Sequence, residues 1–290
     1  MGFKIVCDTS ADLTPDEIKE LNIDTVSFYI SFDGVNYEKE LSEITIDDFY
    51  KKLIDEKLFG KTSMPTIQDY SEVFEKHLKN GDDIICICLS SKFSGSYASA
   101  VNAKKILEEE YPERKITVID STQVTVAEGL IVKYAVDMQR KGFSYEKTIE
   151  TINKVKETAR IYFTVDSLEH LKQGGRIGKA SAFAGALLNI KPVIVMKNGE
   201  LIPEKKVRGH KKALQTLVDY VKEDLMKEKD QYEIQLINVI KDDSIKFVTE
   251  ELTFLGFKIT EPSVILGSTI ATHAGPTVVG ICYIKKYEYL

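Results

Sequence analysis

One stretch constrains the fold more than any other. Ile84-Ile85-Cys86-Ile87-Cys88-Leu89 is a short apolar run. Ser90-Ser91-Lys92-Phe93-Ser94-Gly95-Ser96 follows it, ahead of a helical pattern from Tyr97. An apolar run of this length, bounded by turn residues, reads as a strand buried on both faces. Strand, polar loop and helix in succession place the loop at the carboxyl end of a parallel strand, where doubly wound sheets bind ligands. Ser94 and Ser96 offer hydroxyls there, and a helix start offers backbone N–H groups; both suit a carboxylate or a phosphate. The same serines also serve as ordinary helix caps, so the loop alone does not decide its role.

The rest of the first half repeats the pattern. Lys4-Ile5-Val6-Cys7 predicts a strand, with Asp8-Thr9-Ser10 as the loop after it. Thr14-Pro15-Asp16-Glu17 supplies an N-cap, a proline at the first helical position and a glutamate at the third. Residues 26–32 predict a strand with a hairpin turn at Asp33-Gly34, and residues 46–56 a helix. Thr66 and Asp69 make a capping box for the next helix. Residues 115–119 predict a strand, ending in Asp120-Ser121, and residues 124–140 a helix. Alternating strands and helices imply a parallel sheet covered on both faces. Its polar loops, Asp8-Thr9-Ser10, Thr62-Ser63, Ser94-Gly95-Ser96 and Asp120-Ser121, then gather along one edge as a polar rim.

A second organisation begins near Arg160. Residues 161–165 predict a strand, and a glycine loop follows at 174–179. Residues 180–190 are apolar nearly all round, predicting a helix that is buried or lines an apolar cavity. Asn198-Gly199 predicts a hairpin. Helices at 211–226 and 245–255, with strands at 234–240, around 264 and at 278–284, complete an α+β lobe. The expected organisation is therefore α/β, in two domains: a Rossmann-like parallel-sheet lobe over 1–159 and an α/β lobe over 160–290.

Composition narrows the partners. The 290 residues carry a net charge of −6, with basic and acidic residues interspersed. No basic stripe with interleaved aromatics marks a nucleic-acid surface, and no apolar run is long enough to span a membrane. The chain opens directly into a strand pattern without a signal-peptide core. Cys7, Cys86, Cys88 and Cys282 fall in strand-like runs, as expected for buried reduced thiols in a cytoplasmic protein. The histidines are too far apart to suggest a metal site, and no cofactor is expected.

Gly174-Gly175-Arg176-Ile177-Gly178-Lys179 fails as a phosphate-binding P-loop. Ala180 stands where Ser or Thr should follow Lys179, and the glycine spacing is one residue short. His273, in the expected loop His273-Ala274-Gly275-Pro276, is either a solvated turn residue or a donor reaching the rim from the second lobe. Arg208 is a similar candidate cation. Ser94 and His273 with a rim aspartate could be drawn as a hydrolase triad, but G-x-S-x-G is missing.

Taken together, Asp8-Thr9-Ser10-Ala11-Asp12-Leu13, Thr62-Ser63-Met64-Pro65-Thr66, Leu89 to Ser96, Leu171-Lys172-Gln173-Gly174-Gly175-Arg176, Val207-Arg208-Gly209 and Thr272-His273-Ala274-Gly275-Pro276 resemble the DegV family of bacterial fatty-acid-binding proteins. The resemblance covers essentially the whole chain. It departs from the family's usual pattern at Met64, commonly Gln, and at Thr277, commonly Gly. It implies a non-enzymatic protein with a long-chain fatty acid held between and within two lobes. By that resemblance Thr62 and Ser94 hydrogen-bond the carboxylate, and Ser63, Gly95 and Ser96 shape the rim, with His273 and Arg208 close by. It further implies a separate ATP-dependent fatty-acid kinase as partner, with Arg176 a candidate for phosphate handling or kinase docking. The rival expectations are a stand-alone serine hydrolase using Ser94 and His273, and a polar-ligand component similar to dihydroxyacetone-kinase relatives.

Overall fold

The computed structural model describes residues 2–183, 189–239 and 243–290. In chain order the first half contains β1 (Phe3–Asp8), α1 (Pro15–Leu21), β2 (Asp24–Val26), β3 (Tyr29–Ser31), β4 (Glu38–Lys39), α2 (Ile46–Tyr50), β5 (Lys61–Ser63), α3 (Ile67–Lys79), β6 (Asp83–Cys88), α4 (Ser96–Glu110), β7 (Ile116–Asp120), α5 (Thr125–Arg140) and α6 (Tyr145–Val155). The second contains β8 (Arg160–Thr164), α7 (Glu169–Gln173), β9 (Ile190–Lys197), β10 (Glu200–Arg208), α8 (His210–Leu225), β11 (Tyr232–Asn238), α9 (Asp243–Phe254), β12 (Thr260–Ile265), α10 (Ser268–Ala274) and β13 (Val279–Lys285). None of the described helices is long and apolar enough to cross a membrane.

β1, β2, β6 and β7 form a parallel sheet in the order β2-β1-β6-β7. The apolar run of β6 explains its central place. Ile85 and Ile87 face α5, while Ile84, Cys86 and Cys88 pack beneath α3 and α4 with Tyr70, Phe74 and Ala100. The later strands form a mixed sheet, β10-β9-β8-β13-β11-β12, antiparallel except where β11 meets β12. Asn198 and Gly199, both with positive φ, close the β9–β10 hairpin as expected for a tight two-residue turn. Both predicted capping boxes are present, Thr14 with Glu17 and Thr66 with Asp69.

Four expectations need correction. Residues 26–32 are not one strand: β2 ends at Val26, and β3 belongs to a separate antiparallel sheet, β4-β3-β5. The break has a cause, because Phe28 N–H donates to Thr9 Oγ1 and its carbonyl accepts from Glu40 N–H, so neither group extends a ladder. Thr62 and Ser63 therefore lie on β5 of that small sheet, not on a loop of the parallel one. The helix expected at 46–56 turns π-helical after Tyr50.

The fourth concerns residues 180–190. Gly178–Phe183 is a 3₁₀ turn with Ala182 exposed, Ile190 opens β9, and residues 184–188 lie outside the described residues. The helix buried nearly all round is instead α5. Its Ala127, Leu130, Ile131, Ala135 and Met138 are essentially inaccessible and pack in one cluster with residues of both sheets.

Candidate functional site

A cavity of about 280 Å³ opens between the two sheets. Its walls are predominantly apolar and come from both halves: Leu89, Phe93 and Val124 from the first, and Ile161, Phe163 and Ile237 from the second. Helix α10 supplies Thr269, Ile270, His273 and Ala274 along one side. The volume lies near the lower end of the roughly 300–1,000 Å³ usual for small-molecule sites.

One end of the cavity is polar. β5 presents Thr62 and Ser63, the loop after β6 presents Ser94 and Gly95, and the glycine loop presents Arg176. His273 reaches the same place, but from the last turn of α10, not from a loop. Its Nε2 lies 2.8 Å from Thr62 Oγ1, a bond joining residues 211 positions apart. Ser94 Oγ accepts from Ser96 N–H at 3.1 Å, fixing the hydroxyl at the start of α4. The Arg176 guanidinium donates to the carbonyls of Phe93 at 3.2 Å and Gly174 at 2.6 Å, tying the glycine loop to the serine loop while staying exposed.

The protonation of His273 follows from its packing. Burial is the main cause that pushes its pKa down to about 4, with the positive charge of Arg176 and then His170 adding to it. The ring is therefore neutral at pH 7. Its Nδ1 is buried against Gly174, where a Cβ would overlap it, and has no hydrogen-bond partner among the described residues. A buried N–H without an acceptor is rarer than an under-used acceptor, so the tautomer assigned here carries its proton on Nε2. Nε2–H then donates to Thr62 Oγ1, and the Thr62 O–H is left to donate into the cavity.

Two expected site residues are elsewhere. Ser96 does not border the cavity: its Oγ donates to the buried carboxylate of Asp8 at 2.8 Å and lies 2.7 Å from Tyr70 Oη. Asp8 also accepts from Leu89 N–H at 3.0 Å and Ser10 Oγ at 2.5 Å. Ser96 thus helps Asp8 staple the loops after β1 and β6 together. Arg208 lies exposed at the end of β10, opposite Ile190 of β9, and does not border the cavity. The hydrolase arrangement also fails. His273 is bonded to Thr62 and not to Ser94, so among the described residues no histidine stands as base to the serine.

Sequence reading missed two hydroxyls in the walls, each tied to a buried acid. Thr125 Oγ1 donates to Asp12 Oδ2 at 2.5 Å, and Thr269 Oγ1 donates to Glu40 Oε2 at 2.6 Å. Thr125 also has φ +49, unusual for a β-branched residue, so its place at the head of α5 is imposed by the surrounding contacts. No spacing rule connects Asp12 with Thr125 or Glu40 with Thr269. Only a residue-level contact map could have found them.

Two α/β lobes around a predominantly apolar cavity with a hydroxyl-lined end form a site suited to an amphipathic small molecule. A family model described as "Uncharacterised protein, DegV family" matches residues 2–286. A DegV domain-containing protein of Caldanaerobacter subterraneus subsp. tengcongensis is 34% identical over 286 residues, covering 97% of this chain and 98% of that one. A stearic acid-binding protein from Eubacterium ventriosum superposes with a TM-score of 0.90 at 36% identity, covering 99% of this chain and 100% of the other. A fatty-acid-binding DegV family protein of Thermus thermophilus gives 0.88 at 28% identity over 99% and 100%. The chain belongs to the DegV family.

Proposed function

We propose that this protein binds one long-chain fatty acid, its carboxylate on the hydroxyls of Thr62 and Ser94 and its tail in the apolar cavity. The observation that carries the reading is the cavity itself, predominantly apolar in its walls and bounded at one end by Thr62, Ser94 and His273. Similarity to a protein that binds stearic acid supports it. The mostly apolar walls count against a small polar ligand.

The physical roles divide between tail and head. Burying about 16 carbons at ~0.8 kcal/mol per methylene gains on the order of 12 kcal/mol gross, much of it offset by ordering the chain and losing rigid-body freedom. A charge-assisted hydrogen bond adds roughly 1.5–3 kcal/mol. The tail therefore sets affinity, and Thr62 and Ser94 set orientation and head-group choice. In this reading residues 1–159 supply the carboxylate loops and residues 160–290 enclose the chain. The bound carboxylate is presented to a separate ATP-dependent kinase that makes the acyl phosphate, and Arg176, exposed at the rim, faces that partner. Four unpaired buried cysteines suit a reducing cytoplasm.

The test is extraction of the purified protein with organic solvent, followed by mass spectrometry. A stoichiometric long-chain fatty acid is expected, and the double variant Thr62→Ala, Ser94→Ala should carry less or release it faster while keeping its fold. An empty extract with no uptake of added palmitate or oleate refutes the function. A double variant that binds like wild type refutes the residue assignment.

A further inference from the structure

Met64 follows Thr62 and Ser63 at the end of β5, borders the polar end of the cavity, and is 46% exposed. Its sulfur occupies the space beside Gly95 that a side chain there would fill, because a Cβ built on Gly95 would overlap Sδ. The thioether thus lies against Gly95, two residues along the chain from Thr62, in a residue that is nearly half exposed.

Each of the other described methionines lacks at least one of these features. Met138 and Met196 are buried, at 0% and 1% exposure. Met226, 43% exposed, follows the end of α8 and does not border the cavity. Met64 alone among the described methionines is both open to solvent and part of the polar rim.

We propose that Met64 is an oxidation site through which peroxide controls ligand binding, an inference that rests on the fatty-acid reading above. The sulfur lone pair attacks one oxygen of hydrogen peroxide, the S–O bond forms as the O–O bond breaks, and the departing hydroxide takes up the remaining proton as water. Sulfur loses two electrons and the peroxide gains them. The product replaces an apolar thioether with a polar, hydrogen-bond-accepting sulfoxide. Its oxygen competes for the hydroxyl protons of Thr62 and Ser94 and turns a negative dipole end toward the incoming carboxylate. Sulfoxide reductases reverse the change.

The experiment treats wild type, Met64→Leu and Met226→Leu with hydrogen peroxide, maps sulfoxides by peptide mass spectrometry, and measures oleate affinity against each variant's own untreated sample. Wild type and Met226→Leu should each lose about tenfold or more, with recovery after a methionine sulfoxide reductase, and Met64→Leu should keep its own untreated affinity. Complete conversion of Met64 with unchanged affinity overturns the proposal. So does a Met64 that stays reduced while Met226 oxidises, or an equal loss in Met64→Leu. Untreated wild type that takes up no fatty acid sinks the function reading and this one with it, whereas one of the overturning peroxide results, with untreated protein that binds oleate, refutes only the oxidation proposal and leaves the function standing.

Discussion

Gly174→Ala tests whether His273 is held in place by packing. Gly174 has φ −71 and ψ −10, so alanine is free to adopt its backbone, and the change alone would stabilise by about 0.4–1 kcal/mol through the unfolded chain. The added Cβ, however, overlaps His273 Nδ1 and comes within 3.0 Å of its Cε1 and 3.2 Å of the His170 carbonyl. The imidazole is the softer neighbour and must swing away, which pulls Nε2 off Thr62. Overpacking costs about 1–3 kcal/mol and the lost hydrogen bond about 0.5–1.5. Urea unfolding should therefore show a net loss of roughly 0.5–4 kcal/mol. With Thr62 no longer oriented, a carboxylate loses one charge-assisted bond of about 1.5–3 kcal/mol, or about 10- to 150-fold in affinity.

The neighbouring glycine is the control. Gly175 has φ +70 but nothing within 4 Å of a built Cβ. Gly175→Ala should lower stability by about 1 kcal/mol through backbone strain and leave oleate affinity alone. Displacement of a fluorescent fatty acid reads both variants. If Gly174→Ala binds oleate within about twofold of wild type, or keeps the Thr62–His273 bond in a crystal structure, the packing argument is wrong.

Two further outcomes follow from buried titratable groups. Nitrogen-15 NMR of the ligand-free protein should find His273 neutral at pH 7 with its proton on Nε2, titrating near 4, and added oleate should raise that value because an anion arrives beside Thr62; a proton on Nδ1 would remove the basis for Thr62 as donor. Because its folded pKa is depressed, His273 contributes stability that is present above about pH 6.5 and lost as pH falls toward 4. Glu128 runs the other way: burial, and then the charge of Asp8, push its carboxyl well above the ordinary range, so its stability is present below about pH 4.5 and lost as pH rises. Glu128→Gln should match wild type near pH 5 and exceed it increasingly toward pH 9 in urea unfolding; parallel curves would show that Glu128 is ionised in the folded protein.

Much of the fold was legible because local chemistry and tertiary structure agree. The apolar β6 run, the Thr14 and Thr66 capping boxes and the Asn198-Gly199 turn each carry a local cause that the fold leaves in place. Helix α6 passed unremarked although Ser144 caps it and Tyr145, Ile149, Ile152 and Val155 recur at helical spacing. The misreadings come where a distant group overrides the local pattern. Thr9 takes the Phe28 N–H and splits an apparent strand, and Pro276 drew His273 into a loop although α10 continues through Ala274. At the site, residue types were legible and contacts were not. Thr62, Ser94 and His273 stand in recognisable motifs, but nothing in spacing tells that His273 meets Thr62 and not Ser94, or that Ser96 turns inward to Asp8.

Why the two halves can hold a 2.8 Å bond between Thr62 and His273 is answered at the other end of α10. Glu40, on the segment after β4, is 1% exposed and accepts from Thr269 N–H at 2.9 Å, Thr269 Oγ1 at 2.6 Å and Thr9 Oγ1 at 2.6 Å. Tyr50 Oη donates to the Leu266 carbonyl at 2.7 Å just before the helix. The first half thus grips the start of α10 through a buried carboxylate, and meets its end through Thr62. Withdrawing the helix would take from Glu40 both bonds to Thr269 and from Tyr50 its acceptor at Leu266, each contributing about 0.5–3 kcal/mol net. The two grips bracket the cavity-facing residues Thr269, Ile270 and His273, so the wall between them is set by its ends. Such a short helix can thereby hold a neutral imidazole in register with a hydroxyl contributed by the other half.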